Sequence, residues 1–405
     1  MVITRRAVSP ALVHGLACLA VLLSGCQGPP EVTPTLTTAP IRTPLPPIPI
    51  TPATPTASIA QPTFTLTPTA DTRLISTFGP DVNPLTGETI SDPAVLQRRP
   101  LAIKIGNDQV VRPQSGLRSA DLVFEHEAEG GITRFTAIFL SETPARVGPN
   151  RSCRIIDADL PAMYKSLLAC SGFSGGTREY YIKPTEFYAE GRALSPDFGD
   201  SGGMFFRTDT AIPPHNLFVD PAAVWEEATR RGINQPQGLT GTVFSPALIG
   251  SGSPAAQIVI PYRLVRAEWR YDPTSTACSS QAGCYLRWSD GAAHADALDR
   301  QQISAANVVI VYANHVEDGR YLEDVWGGGH YSTQIQIWND PGNPTLPGGS
   351  AQVIRDGQVF EGKWSRPGRF DMLSFIDAAG NPIPLKPGIT WFQLVRLDAA
   401  AQISP

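Results

Sequence analysis

Apolar residues fall into three regimes along this chain. Between Ala11 and Leu23 they run almost unbroken, and from 29 to 69 they stand singly among Pro, Thr and Ala. Beyond Arg73 they recur with the periods of folded structure. PLAIKIGN, ADLVFEHEA and ITRFTAIFL are short apolar or alternating runs of the kind that strands bury. Gly130-Gly131 separates the last two and predicts a hairpin. DADLPAMYKSLLA has apolar residues at helical spacing behind a capping Asp, and its LLACSG end either finishes that helix or opens a strand. DPAAVWEEATRRG is the clearest helix. Asp220 is its N-cap, Pro221 its first residue, acids come early, arginines late, and Gly232 stops it.

From about Ser253 the pattern turns to strands. AQIVIPYRLVRAEWRYD, CYLRWSDG, NVVIVYANHVEDG, YSTQIQIWND, SAQVIRDGQVFEGKWSR, DMLSFIDAAGNPIPL and TWFQLVRL are divided by Asp-Gly and Asn-Pro turns. Ser289-Asp290-Gly291, Asp318-Gly319 and Asp356-Gly357 are hairpin signals, because glycine accepts positive φ without strain. The expectation is an α+β chain, with an α/β domain over 73–245 and a β-rich domain over 253–400. No internal repeat is visible.

The first two regimes set the address. Arg5 and Arg6 precede the apolar run, which ends in Leu23-Ser24-Gly25-Cys26. A basic start, an apolar stretch too short to cross a bilayer and small residues before a cysteine form a lipoprotein export signal. Residues 1–25 are then removed and Cys26 carries the lipid that holds the protein to the membrane. Residues 26–72 are a Pro/Thr tether, disordered and extended, reaching on the order of 100 Å at full stretch. Losing Arg5 and Arg6 takes the formal charge from −5 to −7. An acidic mature chain excludes nucleic acid as a partner, since phosphate backbones need a basic face.

After Cys18 leaves and Cys26 is acylated, Cys153, Cys170, Cys278 and Cys284 remain, an even number in an oxidising compartment. Cys278 and Cys284 bracket a short loop between two strands and are expected to pair, which leaves Cys153 for Cys170. A four-thiolate zinc site would want close C-x-x-C pairs, and the chain has none.

Several long motifs come in a fixed order: NPLTGE (83–88), RRPLAIKIGN (98–107), RPQSGLRSADLVFEHEAEGGITRFTAIFL (112–140), VGPNRSCR (147–154), PPHNLF (213–218) and DGQVFEGKWSRPGRFDMLSFIDAAGNPIPLKPGITWFQLV (356–395). Together they resemble the YerB-like bacterial lipoproteins over nearly everything beyond the tether. The resemblance implies an envelope lipoprotein with an α/β N-terminal part and a β-rich C-terminal part, and it implies no activity. Cys153 departs from the small residue expected between the two arginines of VGPNRSCR. It reads as a local disulfide, which argues against a reactive thiol in the family.

The chemistry must therefore come from individual residues. Arg146, Arg151 and Arg154 gather around VGPNRSCR, and alternation puts Arg134 on one face with Ile132 and Thr136. Guanidinium groups pair bidentately with carboxylates or with anionic ligands. Two arrangements are open: Glu125, Glu127 or Glu129 braces the arginines, or some stay open to an anion aided by the amides that start the DADLPAMYK helix. SGFSGG contains a G-x-S-x-G pattern around Ser174 with His215 downstream, but TREYYIKPTEF after it is a poor helix for a nucleophile elbow. Glu125 with Glu127 or Asp157 could form the carboxylate pair of a glycan-cleaving enzyme. His126, His215, His294, His315 and His330 show no metal-ligand spacing, so neither metal nor cofactor is expected. In PPHNLF, His215 and Asn216 suit hydrogen bonds that fix their own loop. Trp269, Trp288, Trp326, Trp338, Trp364 and Trp391 all lie in the β-rich part, as core or as a platform for sugar rings. GKWSRPGRFD could present Trp364, Arg366 and Arg369 as a recognition patch.

The reading is a lipid-anchored, extracytoplasmic binding or scaffolding module of the cell envelope. It recognises an anionic wall component or an envelope protein through Arg134, Arg151 and Arg154, with Glu125, His215 and Asn216 around them. The alternative is a cell-wall hydrolase using Glu125 with a second carboxylate, or Ser174 with His215.

Overall fold

The computed structural model describes residues 74–209, 211–323, 329–338 and 349–405. The export signal, Cys26, the Pro/Thr tether and Trp326 lie outside the described residues. Five strands come from the N-terminal part: β1 (Leu101–Gly106), β2 (Leu122–Glu127), β3 (Thr133–Phe139), β4 (Leu167–Ala169) and β5 (Ala193–Leu194). They lie in the order β2-β3-β1-β4-β5. The sheet does not stop at β2. Strand Thr390–Arg396 pairs parallel with it, from Thr390 opposite Leu122 to Leu394 opposite His126. Strands Asn307–Leu322, Ser350–Arg355, Gln358–Ser365 and Ser374–Ile376 continue outward. One sheet thus runs through both parts of this mixed α/β, sheet-rich chain.

That continuity explains why β1, β2 and β3 are buried at every position. Each of their faces meets an apolar layer, one holding Phe124, Ile138, Met163 and Phe392, the other Val123, Phe135, Val308 and Trp391. A second sheet, built on Gln257–Pro261, Arg266–Asp272 and Cys284–Ser289, closes the latter layer with Ile258, Ala267, Trp269 and Tyr285. Trp269 and Trp391 are wholly enclosed and meet edge to face at 5.1 Å. They are core rather than platform. Trp364 is buried as well and donates its ring N–H to the Tyr312 carbonyl at 2.9 Å.

Local expectations hold where a cap or turn residue enforces them. Helix Pro221–Arg230 starts on Asp220, whose carboxylate accepts from the Ala222 and Ala223 amides. Gly130 and Gly131 both take positive φ in the β2–β3 hairpin, as do Asp290-Gly291 and Asp356-Gly357. Asp318-Gly319 differs: strand Asn307–Leu322 runs straight through it, with a register shift between Glu317 and Leu322. Arg320 and Tyr181 hold the Asp318 carboxylate, and the strand runs on to pair Leu322 with Tyr331. DADLPAMYK also differs. A 3-10 turn, Ile155–Ala158, leads into a helix of only four residues, Leu160–Met163. LLACSG opens β4, because Leu167–Ala169 must pair in parallel with Leu101–Ile103 of β1. Both disulfides are present: Cys153–Cys170 ties the arginine loop to the end of β4, and Cys278–Cys284 closes its short loop.

Candidate functional site

Strand register decides which side chains can meet. Lys104 on β1 pairs with Thr136 on β3, and Arg134 on β3 pairs with His126 on β2. These four share one face of the sheet. The Lys104 ammonium, fully buried, lies 2.8 Å from Asp157 Oδ2, 2.7 Å from His126 Nε2 and 3.0 Å from Thr136 Oγ1. Asp157 descends from the 3-10 turn, and its Oδ2 also accepts the Arg154 amide at 2.6 Å. Burial pushes the Lys104 amine down to about 8, against the pull of Asp157. Burial and then the Lys104 charge hold His126 well below the ordinary imidazole value. The imidazole is thus neutral, with Nδ1–H donating to the Glu127 carbonyl at 2.9 Å and Nε2 accepting from Lys104.

Three guanidiniums surround this buried pair and differ in their compensation. Arg154 is braced: its Nε donates to Glu129 Oε1 at 2.5 Å, and its Nη1 lies 3.6 Å from Glu323 Oε2. Burial opposes the charge, yet Glu129 and Glu323 raise Arg154 above the ordinary arginine value. Arg151 is half-buried, with Nη2 3.5 Å from Asp108 Oδ2 and Nη1 3.4 Å from His215 Nδ1. Its chain crosses the end of β1 at Gly106, where an added Cβ would come within 2.8 Å of Arg151 Cγ.

Arg134 is left over. It is 5% exposed, its Nη1 donates to the Ser152 carbonyl at 3.2 Å and its Nε has no partner. Among the described residues it has no ion pair. Burial, followed by repulsion from Arg154, pushes it down to about 9. Glu129 and Asp108 offset this only from beyond ion-pair distance, and a buried cation lacking a direct partner costs several kcal/mol, on the order of 3–5.

Glu323 gives the C-terminal part a share in this site. Its Oε1 accepts from Ser174 Oγ at 2.8 Å, Ser332 Oγ at 2.7 Å and Thr177 Oγ1. No motif surrounds Glu323, and only the fold brings it to Arg154. Lys104 was equally silent, an isolated charge in an apolar strand.

Several expectations need correction. Glu125 and Glu127 do not face Arg134. Glu125 pairs across the hairpin with Phe135, which puts it on the opposite side of the sheet. There Oε2 accepts from Arg287 Nη2 at 2.8 Å, and Oε1 accepts from Thr133 Oγ1 at 2.8 Å and Asn107 Nδ2 at 3.2 Å. Arg287 lies over Trp391, Trp269 and Phe135 at 4.6, 5.1 and 5.5 Å. Glu127 accepts from Arg396 Nε at 2.6 Å. Neither acid joins the arginine cluster, and Glu129 does what was expected of the three. The segment after SGFSGG does turn into a helix, of π type over Thr177–Ile182, yet Ser174 gives its proton to Glu323 rather than to His215. The amides that open DADLPAMYK are taken up locally: Asp157 N–H donates to the Arg154 carbonyl and Asp159 N–H to the Ile156 carbonyl, both at 2.9 Å. Asn216 bonds within its own loop, accepting from Arg207 Nη1 at 2.7 Å and donating to the Thr208 carbonyl at 2.8 Å. Arg146 leaves the cluster for Ser115 and the Phe218 ring. Among the described residues no three of His, Cys, Asp and Glu converge to hold a metal ion.

The polar site is thus built on one face of a sheet to which both sequence parts contribute strands. The chain belongs to the DUF3048 family of proteins of unknown function: residues 85–234 match its N-terminal domain and residues 258–392 its C-terminal domain. It is 30% identical over 327 residues to "Putative lipoprotein YerB" of Bacillus subtilis (strain 168), covering 78% of this chain and 87% of that protein. The crystal structure of the YerB protein from Bacillus subtilis superposes with a TM-score of 0.62 at 28% identity, covering 80% of this chain and 99% of the other. No helix among the described residues is long and apolar enough to cross a membrane.

Proposed function

We propose that this protein is an extracytoplasmic lipoprotein, anchored through acylated Cys26, that binds an anionic group of the cell envelope at Arg134. Arg151 and Arg154 flank the group, and His215 and Asp108 form the outer edge. The observation that carries this reading is the Arg134 guanidinium, enclosed and without a carboxylate, while its neighbour Arg154 has two. A chain that gives one buried arginine two ion-paired acids, and leaves the next only the influence of Glu129 and Asp108 beyond ion-pair distance, leaves a place for a charge from outside. The lipid anchor is supported by the Leu-Ser-Gly-Cys motif and by the relative's name. Hydrolysis has no such support, since Glu125 is bound up with Arg287 and Ser174 with Glu323. The test is calorimetric titration of the full chain with phosphate-bearing wall-polymer fragments and with carboxylate-bearing muropeptides. Saturable binding that Arg134→Gln abolishes is expected. Binding that survives Arg134→Gln, or none in either series, overturns the proposal.

A further inference from the structure

Lys104 and Asp157 are held as reactants are held. The Lys104 Nζ lies 2.8 Å from Asp157 Oδ2 and 3.0 Å from Oδ1, so it faces the carboxyl carbon between them. Attack on such a carbon starts from about 3–3.5 Å. Neither side chain reaches solvent. Strand β1 fixes the lysine through its register with β3, from Leu101 opposite Phe139 to Gly106 opposite Arg134. The 3-10 turn fixes the aspartate, whose Oδ2 accepts the Arg154 amide. Groups immobilised in this way react as if present at about 10⁵–10⁸ M.

The surroundings favour uncharged forms. Two ions in an enclosed site carry a desolvation cost that an amide does not. Burial, joined by repulsion from Arg134 and Arg154, brings the Lys104 amine down to about 8 against the pull of Asp157, so a free amine is within reach near neutral pH. A path for the protons is present. Thr136 Oγ1 lies 3.0 Å from Nζ and donates to Asp157 Oδ1 at 2.9 Å. His126 Nε2 lies 2.7 Å from the same Nζ, and as a neutral imidazole it can take a proton. The Thr136 hydroxyl and the Arg154 amide each donate to one carboxyl oxygen. They are the donors that a tetrahedral adduct with a negative oxygen requires.

We infer that Lys104 and Asp157 condense to an isopeptide bond, an amide between Lys104 Nζ and Asp157 Cγ, with release of one water. One ammonium proton passes through Thr136 to Oδ1, which leaves an amine and a carboxylic acid. The amine lone pair attacks Cγ, and His126 Nε2 takes a second proton from the nitrogen. It returns that proton to the departing Oδ1 hydroxyl as the C–O bond breaks. Of the ammonium hydrogens, two leave in the water and one stays on the amide, and nothing is oxidised or reduced. The link joins positions 53 apart in the sequence. It ties β1 to the turn that carries Arg154, beside the Cys153–Cys170 bridge, and unlike that bridge it withstands reducing agents.

The experiment is peptide mapping by tandem mass spectrometry of the full chain, unfolded, reduced and alkylated before digestion with trypsin. The parent is expected to give a branched peptide joining Lys104 to Asp157, lighter by one water than its two arms together, with no cleavage after Lys104. Asp157→Ala should return Lys104 to linear, cleaved peptides. His126→Gln keeps both reacting groups and should lower the linked fraction several-fold. No ligand enters the measurement, so its result is read apart from anion binding at Arg134. A parent in which Lys104 and Asp157 occur only in linear peptides of full mass, or in which the water is lost at another pair of residues, overturns the inference. A linked parent with His126→Gln linked to the same extent overturns the proton path through His126.

Discussion

Replacing Glu125 by leucine removes the counter-charge of Arg287 in the middle of the molecule. Both side chains are fully enclosed, 2.8 Å apart, with the guanidinium boxed by Trp391, Trp269 and Phe135. Removing one partner of a buried pair costs about 3–5 kcal/mol, because the other is left charged in a medium that cannot solvate it. The three rings return part of this, since cation–π contacts of a desolvated guanidinium are worth up to about 2 kcal/mol. His294 adds nothing in compensation: its Nδ1 already accepts from Arg287 Nε at 3.0 Å, and burial keeps it neutral. A net loss of about 3 kcal/mol is expected, or roughly 6–12 °C in Tm at about 2–4 °C per kcal/mol. Urea unfolding at pH 7.5 measures it, with Glu125→Leu compared to Glu125→Leu/Arg287→Met. The double variant, with no orphaned charge, should recover most of the loss. A single variant within about 1 kcal/mol of the parent, or a double variant no better than the single, would refute the reasoning that Glu125 is what neutralises the enclosed Arg287.

Three further outcomes follow from the same geometry. Cys153→Ser/Cys170→Ser opens a loop of sequence separation 17 and should lower stability by about 3 kcal/mol in equilibrium unfolding. Because that loop carries Arg151 and Arg154, anion affinity should fall as well. Gly106→Ala puts a methyl group into the Arg151 chain; it should weaken anion binding several-fold, read by calorimetry. His126 and His294 are held below the ordinary imidazole value by burial first. Their unfolded forms take up protons near pH 6.5 while the folded ones do not. The stability they contribute is present above that pH and is lost as pH falls, so unfolding free energy should drop between pH 7.5 and 5.5. A smaller drop is expected in His294→Gln, and an equal one would contradict the assignment.

Much of the frame was legible because it rests on local rules. Asp220 before Pro221, paired glycines at 130–131 and Asp-Gly turns at 290 and 356 act within a few residues, and the structure follows each of them. Asp318-Gly319 was misleading because its strand keeps a partner beyond the glycine, pairing Leu322 with Tyr331. The site was half legible. VGPNRSCR announced Arg151 and Arg154, and alternation put Arg134 on the correct face with Thr136. The bracing acid stayed open among Glu125, Glu127 and Glu129, because a strand buried on both sides can keep charges on both faces and a run of three acids does not say which end meets which layer; Glu129 is the one that meets Arg154. Glu323 lies 169 positions beyond Arg154 in the sequence, and nothing local links them. It took the pairing of Thr390–Arg396 with β2 to bring the C-terminal strands over the arginines.

The central claim is that Arg134 is a charge kept unpaired for a visiting anion, and the melting temperature of Arg134→Met against the parent tests it most directly. Without ligand, removing a buried uncompensated cation should leave the variant as stable as the parent or more so. In rising inorganic phosphate the parent should gain up to about 2.7 kcal/mol as the concentration reaches a hundred times the dissociation constant, and the variant should not respond. A variant that melts several degrees lower, beside a parent indifferent to phosphate and carboxylate alike, would make Arg134 a structural residue and contradict the account.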